Sequence, residues 1–96
     1  MKVFKRELNF EYPVSIRRVK MPKHASGDCC FYKKKFYIRI DKTLSISHAF
    51  DITVHELSHA LSWFKNDKDD HGLEWGKSYS RCYRKFLENW NEIYKE

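Results

Sequence analysis

From Phe50 onward, apolar residues recur at intervals of four and three: Phe50, Val54, Leu57, Leu61 and Phe64. At about 100° per residue, all five fall within about 40° of one line along a helix. The segment is therefore expected to fold as a helix whose single apolar stripe must be buried. Ser47 is placed as its N-cap, and the polar run KNDKDD ends it. The same helix carries HELSH. Its histidines, His55 and His59, stack about 40° apart on the side away from the stripe. A neighbouring element must cover them, and the next helix is the natural one.

That second helix begins near His71, with Trp75, Tyr79, Cys82, Tyr83, Phe86, Trp90 and Ile93 on its buried face. Asp70 is placed as its cap, and Glu74 in the first turn suits the helix dipole. Upstream, VSIRRVKM (Val14–Met21) alternates apolar and polar residues and reads as a strand, followed by the loop MPKHASGD. CCFY (Cys29–Tyr32) and KFYIRID (Lys35–Asp41) flank a Lys-rich turn and read as a hairpin, with Phe36, Ile38 and Ile40 on one face and Tyr37 and Arg39 on the other. Residues 2–12 fit a short helix or an extended arm. The fold class is α+β, a small antiparallel or mixed sheet packed on the histidine-bearing helix and followed by a long C-terminal helix.

With 96 residues the chain has room for one domain, residues 1–96, and one core. An aromatic content of 17% argues against disorder. Cys29, Cys30 and Cys82 are odd in number and form no CxxC pair, so they read as small buried side chains in a reduced, cytoplasmic protein. The charged N-terminus is no signal peptide, and no apolar run approaches the roughly 20 residues of a membrane span. Residues 1–47 carry 12 Lys/Arg against 4 Asp/Glu, whereas residues 48–96 carry 7 against 9. The basic half attracts DNA or another acidic partner, or serves solubility alone. The run Lys33–Lys34–Lys35 has the same two readings: phosphate contact or a solvated turn.

Two imidazoles at this spacing can meet one zinc ion at Zn–N distances of about 2.0–2.1 Å. A catalytic zinc needs a third protein ligand. His71, at the start of the next helix, is placed there, with Glu74, Asp69 and Asp70 as alternatives. Glu56, rotated about 100° from His55, leans over the site from the side, where a general base takes a proton from an activated water. Tyr79 and Tyr83 serve as core or as oxyanion donors. His48 shares the histidine face but lies near the helix start, and His24 has no assigned role.

HELSHALSWF followed by DHGLEWGKSY resembles the SprT-like (Spartan) zinc metallopeptidase family, whose members carry HExxHA and then a third histidine in an HG-x-x-(F/W) context. The matching residues are His55, Glu56, His59 and Ala60, then His71, Gly72 and Trp75. The resemblance spans about residues 47–80. It implies a minimal zincin-like fold, zinc on His55, His59 and His71, and Glu56 as the catalytic residue in peptide-bond hydrolysis; many family members continue into further modules, and this chain is expected to be a stand-alone catalytic core. It also implies protein substrates associated with DNA. Two other readings stand beside it. In one, a basic nucleic-acid-binding or adaptor domain keeps zinc as a structural staple, closed by a fourth protein ligand. In the other, the same zinc site hydrolyses a non-peptide substrate.

Overall fold

The computed structural model describes residues 8–65 and 71–89. Three strands come first: β1 (Val14–Val19), β2 (Gly27–Tyr32) and β3 (Lys35–Asp41). Two helices follow, α1 (Ile46–Ser62) and α2 (Leu73–Glu88). The fold is α+β, with a mixed sheet in the order β1-β3-β2. β2 and β3 form the expected antiparallel hairpin, and β1 pairs in parallel with β3. The chain thus leaves β1, crosses to the far edge of the sheet, and returns through its centre.

Alternation along β3 decides which face is covered. Phe36, Ile38 and Ile40 are each 1% exposed and point toward the helices, while Tyr37 and Arg39 face outward. Together with Val54 and Leu57 they form the centre of the core, each side chain contributing about 1.5–3 kcal/mol by its burial. The hairpin turn is tight: Lys33 and Lys34 both take positive φ, 48° and 61°. That is the backbone a two-residue turn between twisted strands requires, here adopted by residues that resist it.

The sheet approaches α1 closely at Gly27. A Cβ placed there would lie 2.7 Å from Ile52 Cγ2 and 2.8 Å from the carbonyl oxygen of Arg39. α1 packs against β2 and β3 on one side and against α2 on another. Its buried set is accordingly wider than one apolar stripe and includes Ala49, Thr53, Ser58 and Ala60. The buried hydroxyls are satisfied within the helix. Thr53 Oγ1 donates to the Ala49 carbonyl at 2.7 Å, and Ser58 Oγ donates to that of Val54 at 2.6 Å. α2 lies on α1 through Cys82 and Phe86, with the Phe50 and Phe86 rings 5.7 Å apart.

Several boundaries differ from expectation. The cap of α1 is Ser45, whose Oγ accepts from the His48 backbone N–H at 3.3 Å; Ser47 lies inside the helix. α1 ends before Phe64, which is 51% exposed and packs its ring on Phe31 and Tyr12. α2 starts at Leu73 with Gly72 as N-cap and no side-chain cap bond. Asp70, the expected cap, lies outside the described residues, as do Trp90, Ile93 and most of the KNDKDD run. Tyr83 is 39% exposed and so lies off the buried face, and Cys30 is exposed on the outer face of β2. No described helix is long and apolar enough to cross a membrane.

Candidate metal centre

With the sheet and α2 occupying two sides of α1, the face carrying His55 and His59 is left half-buried. Residues four apart on a helix lie one above the other, and the two Nε2 atoms are 3.3 Å apart. His71, two residues before α2, brings its Nε2 to 3.3 Å from that of His55. The three imidazoles form one cluster whose candidate ligand atoms all lie within 4.8 Å of one another, with ring centroids 4.9–5.1 Å apart.

These distances test the fit of a metal. Two nitrogens about 2.0–2.1 Å from a zinc ion, separated by a tetrahedral angle, lie about 3.3–3.4 Å apart. The spacings from His55 to both partners meet that value. Neutral imidazole is the ligating form. Burial, and secondarily the charge of His71, hold the His55 pKa below its usual value and so favour that form. The cluster fits a divalent metal such as zinc. Glu74 is not in it; that carboxylate lies 3.7 Å from Lys77 Nζ. Asp69 and Asp70 lie outside the described residues.

Glu56 sits beside the cluster. Its Oε1 is 4.0 Å from His55 Nε2, and the residue is only 7% exposed. Burial, followed by the charge of Asp28 on β2, raises its pKa from 4.5 to about 7. The carboxyl therefore exchanges a proton near neutrality, the condition a general acid–base group needs. Cys29, on the inner face of β2 opposite Ile38, is pushed up to about 12 by burial and then by Glu56. Without a metal such a thiol stays protonated at neutral pH, and Cys29 is not part of the histidine cluster.

His48 and His24 are not part of the cluster. His48 is exposed on the first turn of α1, and His24 occupies a loop at a φ of 72°. Tyr79 is half-buried and packs on Trp75 at 5.1 Å, and Tyr83 stacks on Tyr79 at 6.0 Å. Lys33 and Lys34 are exposed in the hairpin turn, Lys33 Nζ lying 5.4 Å from the Tyr32 ring centroid. The helical stripe assigned Trp75 to the core, and it packs against the histidines instead; the signal for that place was the HGLEW segment, which carries it together with His71.

A scan against protein-family models finds no match, and a search of curated proteins finds none. Among solved structures, the chain is similar to the metallopeptidase zymogen of Methanocaldococcus jannaschii jannalysin. The identity is 16% and the TM-score 0.47, covering 96% of this chain and 90% of that one. The chemistry of the site rests on its own side chains.

Proposed function

We propose that the chain is a zinc-dependent peptidase with a minimal zincin-like fold, of the SprT-like kind. His55, His59 and His71 would hold the metal, and Glu56 would serve as general base. The observation that carries the reading is the convergence of three Nε2 atoms beside a buried carboxylate. The HELSHA and HGLEW segments support the SprT-like assignment. When bound, zinc supplies Lewis acidity, making a water more acidic and polarising a carbonyl. Glu56 takes the proton from the attacking water. It then delivers that proton to the amine nitrogen as the C–N bond breaks, so it ends the cycle as it began. An adjacent cation favours the carboxylate, opposing the upward push of burial on Glu56.

Protein substrates follow from this reading. Exposed Arg17, Lys33 and Lys34 support substrates associated with DNA or another acidic partner, an attraction that should weaken steeply with salt. A reducing, cytoplasmic setting belongs to the same reading, supported by three unpaired cysteines.

The test is metal content in protein purified without added zinc, paired with hydrolysis of casein. One zinc per chain is expected, kept in Glu56→Gln and weakened in His71→Ala, with hydrolysis lost in both. Failure to retain zinc after it is supplied and the excess removed would overturn the proposal. One firmly held zinc with no hydrolysis would make the metal a structural staple of a basic binding domain.

A further inference from the structure

The three imidazoles do not share one element. His55 and His59 are set by α1, whereas His71 is exposed and belongs to neither helix. Its Nε2 nevertheless reaches 3.3 Å from that of His55. The Trp75 ring touches all three imidazoles. Its centroid lies 4.8 Å from His71, 5.2 Å from His55 and 5.7 Å from His59. The His71 contact is edge-on, at 85° between ring planes, an arrangement that aromatic quadrupoles favour.

Trp75 is itself held by α2. It sits in the first turn and packs on Tyr79, one turn on, at 5.1 Å. α2 is anchored to α1 through Cys82 and Phe86. Its indole Nε1 is buried with no acceptor among the described residues. The ring spans three imidazoles at once.

We infer that Trp75 is a positioning residue that sets His71 against His55 and His59, carrying the rigidity of the helix pair to the one histidine outside it. The metal-binding part of this inference rests on the zinc reading; the placement of His71 does not. Residues that orient metal ligands typically cost about 10–100-fold in metal affinity when replaced.

The experiment has two readouts, each taken below the melting temperature of every variant as monitored by circular dichroism. In metal-free protein, NMR follows the His71 ring protons, which the Trp75 ring current should shift and Trp75→Leu should release. In the second, Co2+ is titrated against a competing chelator and followed by its visible absorption. Trp75→Leu should weaken Co2+ by about 10–100-fold, Trp75→Phe should recover most of the loss, and Trp75→Leu should add under about threefold in a His71→Ala background. Equal losses with and without His71, or no loss at all, would overturn the inference and leave Trp75 as packing. If the wild type binds no Co2+ while the His71 protons keep their shift, the zinc reading falls and the placement of His71 stands. Unshifted His71 protons in the wild type overturn the placement whatever the metal does.

Discussion

Replacing Glu56 by Gln should remove hydrolysis and, in the same stroke, stabilise the metal-free fold in a pH-dependent way. The residue is 7% exposed, and burial followed by the charge of Asp28 raises its pKa from 4.5 to about 7. The folded state therefore holds this proton more tightly than the unfolded chain does. Stability is greatest below the unfolded value and falls as pH rises from 4.5 to about 7. At about 1.4 kcal/mol per unit, the whole span amounts to about 3 kcal/mol. That is a large share of the roughly 5–15 kcal/mol that holds a domain folded. Gln does not titrate, so the variant lacks this slope. Burying its amide has a cost of its own, but one that is constant with pH and cancels when two pH values are compared. Chemical denaturation of both proteins in chelator, from about pH 4 to about pH 8, measures the difference. The advantage of the variant should grow by about 3 kcal/mol across that range. Growth under about 0.5 kcal/mol would refute the claim that the fold is burying a charge at Glu56. Supplying zinc should shrink the difference, because a nearby cation favours the carboxylate. Hydrolysis should fall about 10²–10⁴-fold.

Gly27→Ala should destabilise by about 1–3 kcal/mol, because the carbonyl oxygen of Arg39, 2.8 Å from the new Cβ, belongs to the central strand and cannot retreat cheaply. A melting temperature lowered by about 4–8 °C per kcal/mol checks it. Replacing Lys33–Lys34 by Asn–Gly should raise stability by about 1 kcal/mol, since both positions have positive φ, and thermal melts will show it. Iodoacetamide at neutral pH should label Cys30 alone in the native protein. Cys29, with its pKa at about 12, and buried Cys82, at about 11, should react only after denaturation, as peptide mapping will show.

The legible parts of this chain were those governed by a single period. Alternation along 35–41 assigned the inner and outer faces of β3 correctly, because one face of the sheet is covered and the other open. Spacing alone put His55 and His59 together, since two residues four apart on a helix have no other choice. The less legible parts depend on what packs where. Ser45 and Ser47 are equally good caps by chemistry, and the first turn chose the former. Phe64 continues the helical rhythm in sequence, yet the helix stops short of it and the ring joins an aromatic cluster instead. Ala49, Thr53 and Ala60 form no apolar stripe by type, but they are buried because α1 is covered on more than one side. The parallel pairing of β1 with β3 is a long-range choice that no local signal announces.

Glu56 shows why the same packing governs both site and stability. A helix covered only by the sheet would leave its side positions in water, and a carboxylate there would keep an ordinary pKa. Here β2 comes close enough to α1 to demand a glycine at position 27. The neighbouring Asp28 and Cys29 on that strand interact with the carboxyl. The close approach removes water from Glu56 and adds a second negative charge nearby, and both raise its affinity for a proton. Loosening the β2–α1 contact should therefore stabilise the ionised base and blunt its match to neutral pH, even if every histidine stays in place. Tightness at a glycine in the sheet and proton affinity at the base are two consequences of one gap between a strand and a helix.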